Sequence, residues 1–133
     1  MYINGEWHTR EATFPVYNPA NGEVIGEVPN GEREDAVAAI AAATAALPSW
    51  AASSAYERSA KLYAAHQLMM ERRPALAELM TKEQGKPLKA SLNEVKYAAD
   101  FLLWFAEEAK RIYGETIPSA RSDQRFLVQK QPV

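Results

Sequence analysis

The sequence contains no cysteine and only two histidines among its 133 residues. Without cysteine, the chain itself can form no disulfide, bind no metal through a thiolate and use no cysteine nucleophile. His8 and His66 belong to no serine-histidine-acid pattern, so no catalytic triad can be assigned. His66 shares a helical stripe with Leu62 and Met69, where a hydrogen-bonded packing role is commoner than metal binding. We therefore assign no catalytic residue to this chain.

Charge of one sign and long apolar runs are also scarce. The formal net charge is -2 and no basic cluster exceeds the pair Arg72-Arg73, so neither nucleic acid nor an anionic membrane is an expected partner. No apolar run approaches the length of a signal h-region or a membrane span. A composition of 47% apolar and 24% charged residues is typical of one globular domain. We expect a soluble, cytoplasmic protein.

Two patterns that resemble reactive sites fail on spacing. Gly85-Lys86 would need a glycine five residues earlier to form a phosphate loop, and that position is Met80. Glu107 and Glu108 are adjacent in a helical segment, so their side chains point about 100° apart and cannot flank one bond. Neither pattern supports phosphate binding or paired-carboxylate chemistry.

The first 30 residues predict an antiparallel β-ribbon. Short β-prone runs lie at residues 2–3, 6–8, 14–17 and 23–28. The segment 18–22 between the last two runs contains Asn-Gly, which favours the positive φ values of a tight hairpin turn. Because an isolated hairpin is marginal in water, we expect this ribbon to pack on another part of the protein.

The middle of the sequence predicts helices with clear boundaries. An alanine-rich helix over residues 32–46 is expected to end before Pro48. A capping box at residues 54–57 begins a second helix that extends to about Arg73. Pro74 is expected to kink or restart it, and Gly85 to end it.

A long helix at about residues 88–113 is the most strongly patterned element. Its residues divide into two opposed apolar faces at 100° per residue. One face holds Leu88, Leu92, Val95, Ala99, Leu102, Leu103, Ala106, Ala109 and Tyr113, and the other holds Tyr97, Phe101, Trp104, Phe105 and Ile112. Gly114 is expected to end the helix in the left-handed conformation. A helix that is apolar on two sides needs two covering layers.

The C-terminal segment predicts one more strand. A polar connector over residues 119–124 leads to the β-prone run Phe126–Val133. We expect this strand to have no partner within the chain and to offer an edge for pairing between chains.

Five short motifs, in this order, resemble the N-terminal segment of an aldehyde dehydrogenase. They are Ile3-Asn4-Gly5-Glu6-Trp7, Asn18-Pro19-Ala20-Asn21-Gly22-Glu23, Leu47-Pro48-Ser49-Trp50, Glu83-Gln84-Gly85-Lys86-Pro87-Leu88 and Tyr113-Gly114-Glu115-Thr116-Ile117-Pro118. Within the superfamily, residues 83–88, 97–101 and 104–108 most resemble succinate-semialdehyde dehydrogenases.

The resemblance implies an α+β fragment of the α/β aldehyde dehydrogenase fold, with an N-terminal β-ribbon, three to four helices and a C-terminal strand. Residues 1–118 would pack on the nucleotide-binding domain, and residues 119–133 would begin the oligomerisation strand region. The full-length enzyme would be a homo-oligomer that oxidises succinate semialdehyde to succinate with NAD or NADP. The family's nucleotide-binding glycines, general-base glutamate and nucleophilic cysteine match nothing in this sequence. The chain alone is therefore expected to be inactive and to bind neither cofactor nor aldehyde.

The resemblance also implies two sets of site residues. Asn93 and Tyr97 on the long helix would line the substrate entrance tunnel, although ordinary interhelical packing is an equally good interpretation. Main-chain carbonyls near Val16 and Tyr17, with the carboxylate of Glu83, would hold a monovalent cation, since oxygen ligands suit a hard ion. The alternative for Glu83 is an exposed carboxylate at a helix end.

A second interpretation belongs to another functional class. The chain could be a stand-alone helical binding or oligomerisation module without catalytic activity. Its apolar helix faces would then be covered by a second copy or by another protein.

Overall fold

The computed structural model describes residues 1–132, which form four α-helices and three two-stranded antiparallel sheets. The elements are β1 Tyr2–Ile3, β2 Glu6–Trp7, β3 Thr13–Tyr17, β4 Val24–Pro29, α1 Arg33–Ala52, α2 Ala55–Glu71, α3 Arg73–Gln84, α4 Leu88–Glu108, β5 Glu115–Pro118 and β6 Arg125–Val128. This arrangement confirms the predicted α+β architecture.

The N-terminal ribbon consists of two hairpins, β1-β2 and β3-β4, as predicted. The turn between β3 and β4 is held by Asn18, whose side-chain oxygen accepts a hydrogen bond from the Ala20 N–H at 2.9 Å. The β3-β4 register shifts at one point, where Val16 faces Gly26 but Tyr17 faces Val24. The extra residue at this β-bulge is Ile25 of β4, which has no residue opposite it on β3.

Helix α1 passes through Pro48 and ends at Ala52, so the prediction that it ends at Ala46 was wrong. A proline inside a helix removes one main-chain hydrogen bond, here to the Thr44 carbonyl, and this loss costs least where water can replace the partner. Every residue of α1 is at least partly exposed, and alanine, the strongest helix former, dominates both sides of Pro48. The helix therefore continues.

Because α1 extends to Ala52, it is longer than the predicted helix and its apolar stretch is longer too. By length and composition alone, α1 is long and apolar enough to cross a membrane, with a mean hydropathy of 1.3. The expectation that no apolar run approaches such a length therefore needs correction. Core helices of soluble proteins and signal sequences pass the same test of length and composition, and the first turn of α1 carries Glu34 and Asp35.

Helices α2 and α3 have the predicted boundaries. The Glu57 N–H donates to Ser54 Oγ at 3.2 Å and the Ser54 N–H donates to the Glu57 carboxylate at 2.7 Å, which forms the capping box. Pro74 occupies the second position of α3 and restarts the helix after α2 ends at Glu71. Gly85, at φ 72°, ends α3 in the left-handed conformation.

The core lies where α4 packs against α2 and α3. The fully buried α4 side chains are small: Ser91, Val95, Ala99 and Ala106. They include three members of the first predicted apolar face. The second face is only partly covered by residues 1–132, with Tyr97 and Trp104 at 65% and 62% exposure.

The end of α4 differs from the prediction. The α-helix stops at Glu108 and one 3-10 turn, Ala109–Arg111, follows it. Gly114 is outside the left-handed region and does not cap the helix. It is instead required by packing, because a Cβ atom there would lie 2.3 Å from the Val128 carbonyl oxygen.

The predicted C-terminal strand is present but shorter than expected, and it has a partner. Strand β6 pairs with β5, with Glu115 opposite Val128 and Pro118 opposite Arg125. The expectation that this strand is unpaired was therefore wrong, because one of its two edges is hydrogen-bonded to β5. Residue Val133, the last of the predicted strand, lies outside the described residues.

Candidate functional site

The residues of the expected cation site lie where β3 meets α3. Val16 and Tyr17 flank the bulge near the end of β3, and Glu83 is exposed in the last turn of α3. The residues that follow the two elements are also close, since a Cβ atom on Gly85, after α3, would lie 2.8 Å from Cγ of Pro19, after β3. The fold therefore brings the two elements that carry these residues into contact.

The chemistry of this corner restricts which ions it could hold. Within the part of the chain that the structure describes, no three histidine or acidic side chains are grouped to hold a metal ion. A site here would depend on main-chain carbonyl oxygens and a single carboxylate. Such ligands suit a hard cation of low charge better than a transition metal.

An aromatic groove on α4 contains Tyr97 of the expected tunnel pair. The groove has a volume of about 350 Å³ and is lined by Tyr97, Asp100, Phe101, Trp104 and Phe105. The Tyr97 ring meets the Phe101 ring edge-on at 4.9 Å between centroids. Asp100 forms an ion pair with Lys96 at 2.6 Å, so the one acidic lining residue is already partnered.

Asn93, the other expected tunnel residue, lies one helical turn before Tyr97 and outside this groove. Its side chain is exposed on α4. The structure therefore places Asn93 and Tyr97 on one exposed side of the helix, but it groups only Tyr97 with the aromatic residues.

Polar contacts from α3 and from the connection after it hold the turn of α4 that presents Asn93. Arg73 Nε donates a hydrogen bond to the Leu92 carbonyl oxygen at 2.9 Å. The hydroxyls of Thr81 and buried Ser91 hydrogen-bond each other at 2.8 Å. Lys86 and Glu94 form an ion pair across the α3-α4 connection.

A further contact lies at the next turns of α4. His66 Nδ1 is 2.9 Å from the Ala99 carbonyl oxygen, and because a carbonyl can only accept, Nδ1 carries the proton. This is the predicted packing histidine. Arg73 and Thr81 were not predicted, because a side chain that bonds to a distant carbonyl or hydroxyl leaves no periodic pattern in the sequence.

A second polar cluster ties the ribbon to α1. Arg10 contacts both carboxylate oxygens of Asp35, at 3.1 Å from Nε and 2.8 Å from Nη2. The Glu32 N–H also donates to Asp35 at 2.8 Å. The hydrogen bond from Arg10, followed by that from the Glu32 backbone, lowers the pKa of Asp35. This cluster is a structural clamp far from the aromatic groove in sequence.

Comparison with curated proteins identifies close relatives. The glutarate-semialdehyde dehydrogenase of Pseudomonas putida is 54% identical over 134 residues, which cover 99% of this chain and 28% of the relative. The NADP(+) succinate-semialdehyde dehydrogenase GabD of Escherichia coli is 52% identical, over 98% of this chain and 28% of the relative. The chain thus spans 28% of the length of these two proteins.

Comparison with solved structures gives the same result for the fold. The crystal structure of an E. coli NADP-dependent enzyme has a TM-score of 0.92 at 49% identity, over 95% of this chain and 27% of that one. A betaine aldehyde dehydrogenase from Staphylococcus aureus, in complex with NAD+, has a TM-score of 0.93 at 37% identity, over 99% of this chain and 27% of that one. The pattern of the family described as Aldehyde dehydrogenase family matches residues 7–133, and the chain therefore belongs to the aldehyde dehydrogenase family.

Proposed function

We propose that this chain is the N-terminal part of an NAD(P)-dependent aldehyde dehydrogenase that oxidises succinate semialdehyde to succinate. The observation that carries the proposal is identity above 50%, across nearly the whole chain, to two semialdehyde dehydrogenases. Their named substrates are aldehydes of short dicarboxylic acids. We place the enzyme in the cytoplasm.

The chain contributes architecture to this reaction and none of its reactive groups. Covalent oxidation of an aldehyde in this family needs a thiolate, and the sequence has no cysteine. NAD or NADP, when bound, accepts a hydride from the substrate, and residues outside this sequence would hold it. The isolated chain is therefore expected to show no aldehyde oxidation with either cofactor.

A chimera tests the proposal. Residues 1–133 of this chain would replace the matching segment of the E. coli succinate-semialdehyde dehydrogenase. We expect the purified chimera to oxidise succinate semialdehyde, with NAD(P)H formation followed by absorbance. A folded, oligomeric chimera without activity on any semialdehyde would contradict the proposal.

We also propose that Tyr97 and Asn93 line the route by which the aldehyde enters. In support, both side chains are exposed, and Tyr97 belongs to an aromatic groove whose only charged side chain is already paired. In the chimera, Tyr97→Ala is expected to change the ratio of kcat/KM between succinate and glutarate semialdehydes. Tyr113→Ala removes an equally exposed tyrosine outside the groove and serves as the control. Unchanged selectivity in Tyr97→Ala would remove this part of the proposal.

The corner formed by Val16, Tyr17 and Glu83 is proposed to hold a monovalent cation. The support is the contact between β3, which carries Val16 and Tyr17, and α3, which carries Glu83. Potassium is expected to raise the thermal stability of the chimera, and Glu83→Gln is expected to reduce that increase. Glu71→Gln changes an exposed carboxylate on α2 and is the control. If potassium stabilised both variants equally, Glu83 would be an ordinary exposed carboxylate at a helix end and not a cation ligand.

The proposed full-length enzyme is a homo-oligomer, and one observation favours the second candidate function as well. The aromatic face of α4 is exposed in the chain by itself, as expected for a binding or oligomerisation module. The chimera separates the two: restored activity supports the enzyme part. An inactive chimera together with a stable homodimer of the 133-residue chain supports the module.

A further inference from the structure

The fully buried residues of α4 let it pack closely on its neighbours, but they do not fix the position of α4 along its own axis. Its fully buried side chains, Ser91, Val95, Ala99 and Ala106, are small, and α4 packs against α2 and α3. Large interdigitating side chains normally set the relative position of packed helices. A stripe of small residues does this less strongly, so other contacts must fix where α4 sits.

Polar contacts from the neighbouring helices reach α4 at two places, on one turn near its start and at Ala99, whose carbonyl oxygen accepts from His66. The contacts made by Arg73, Thr81 and Lys86 all reach residues 91–94. Arg73 differs from Thr81 and Lys86 because it contacts the main chain, as His66 does at Ala99, so it holds the helix backbone itself rather than one side chain. The Leu92 carbonyl that it contacts immediately precedes Asn93.

The break between α2 and α3 determines the position of Arg73. Arg73 is the first residue of α3, and the helix restarts there because Pro74 follows it. Its side chain is part-buried, so the hydrogen bond to Leu92 is partly shielded from competing water.

We propose that Arg73 is a positioning residue that sets the place of Asn93 and Tyr97 in the substrate route, and thereby tunes which aldehyde the enzyme prefers. This inference depends on the proposed function of those two residues. Arg73 touches neither substrate nor cofactor in this scheme and acts only through the α4 backbone.

The chemistry of arginine makes a graded test possible. The Nε–H donor lies in the rigid plane of the guanidinium group, a geometry that lysine cannot reproduce. Arg73→Lys keeps the charge and loses that donor, and Arg73→Met keeps most of the apolar stem and loses both. Arg72 is adjacent and exposed and ends α2, so Arg72→Lys and Arg72→Met are the matched controls.

The experiment uses the active chimera with succinate semialdehyde, glutarate semialdehyde and benzaldehyde as substrates. We expect Arg73→Met to change the kcat/KM ratio between the two semialdehydes by about threefold or more, mainly through KM, with kcat on the better substrate within about twofold. Arg73→Lys is expected to give a smaller change in the same direction. The Arg72 variants are expected to leave the ratio unchanged.

Hydrogen exchange followed by mass spectrometry supplies a readout besides activity. Peptides covering residues 92–97 are expected to exchange faster in Arg73→Met, with α2 peptides unchanged. Equal losses of kcat/KM on all three aldehydes, with general loss of protection, would show a purely structural role and overturn the proposal. If Arg73→Met does not fold, Arg73→Lys is judged by the same criteria.

The Tyr97→Ala variant distinguishes the role of Arg73 from the substrate route on which that role depends. Altered selectivity in Tyr97→Ala but not in either Arg73 variant would overturn the role of Arg73 alone. Unaltered selectivity in Tyr97→Ala would overturn the proposed substrate route, and the role of Arg73 with it.

Discussion

Gly114 is constrained by the strand that passes beside it. Its backbone is outside the left-handed region, yet an added Cβ would meet the Val128 carbonyl oxygen at 2.3 Å. Main-chain atoms cannot move away as a flexible side chain could, so the β5-β6 hairpin would have to shift.

We predict that Gly114→Ala lowers the free energy of unfolding by about 1–3 kcal/mol, as expected for an overpacked site. Urea unfolding followed by circular dichroism measures the change. Gly26→Ala is the matched control, because it also lies in a hairpin and has open space around it. Equal stability of Gly114→Ala and Gly26→Ala would contradict the contact.

The clamp between Arg10 and Asp35 predicts a specific pH dependence. Its hydrogen bonds hold the pKa of Asp35 below the usual value of 3.8. A lowered folded-state pKa contributes stability above the unfolded value, and this contribution is lost as the pH falls through the folded one. Asp35→Asn is therefore expected to flatten the loss of stability below about pH 4.

Thermal unfolding between neutral pH and pH 3 tests this prediction, with Glu34→Gln on the same helical turn as the control. The clamp would be unimportant if Asp35→Asn and the parent chain lost stability with the same pH slope.

Residue-level prediction from the sequence succeeded where the cause is local. The capping box at Ser54 and the left-handed end at Gly85 each depend on a few neighbouring residues, and both are present. The contacts of Gly114 and Arg73 each join residues at least 14 positions apart (128 − 114 and 92 − 73). No local pattern records such contacts, so the sequence could not indicate them.

At the level of elements, α1 shows how burial decides the effect of a proline. Exposure lets water replace the missing hydrogen bond at Pro48, whereas Pro74 occupies a position where the helix lacks that bond in any case.

Pro48→Ala is predicted to strengthen α1 locally. Interior proline costs a helix about 3 kcal/mol relative to alanine, so amide exchange over residues 44–52 is expected to slow markedly. Pro74→Ala, measured in the same way, is expected to slow exchange in α3 only slightly. Equal effects of the two substitutions would mean that the position of a proline within its helix does not decide its cost.

The long-helix prediction was right in its faces and wrong in its end. Val95, Ala99 and Ala106 of the first face are buried, whereas the aromatic face is about half exposed or more, so residues 1–132 supply only one of the two covering layers that the pattern predicts. The helix end failed because Tyr113-Gly114 has the local signature of a helix stop, while the approach of β6 determines the backbone there.

At the scale of the whole molecule, the aromatic face of α4 leaves apolar surface that residues 1–132 do not cover. Tyr97, Phe101, Trp104 and Phe105 are each about half exposed or more. Complete burial of one such side chain is worth about 1.5–3 kcal/mol, which is large beside a typical net stability of about 5–15 kcal/mol.

We therefore predict that the isolated chain self-associates. Sedimentation equilibrium over a wide concentration range is expected to show a dimer or larger species, and Phe101→Glu is expected to shift it toward monomer. Tyr56→Glu changes an exposed aromatic residue on α2 and should not. A cooperatively folded species that stays at 14.8 kDa at all concentrations would refute the prediction.

Gly85 lies where the end of α3 meets the turn after β3, and this contact restricts which residues position 85 can accept. Gly5, Gly22 and Gly85 all have positive φ, but only Gly85 faces a neighbour, Pro19, with Cγ 2.8 Å from the site of a Cβ. Asparagine tolerates such φ values and should be accepted at positions 5 and 22. At position 85 even asparagine would push the ribbon away from α3. In a saturation library selected for folding, position 85 should retain glycine alone unless residue 19 changes with it.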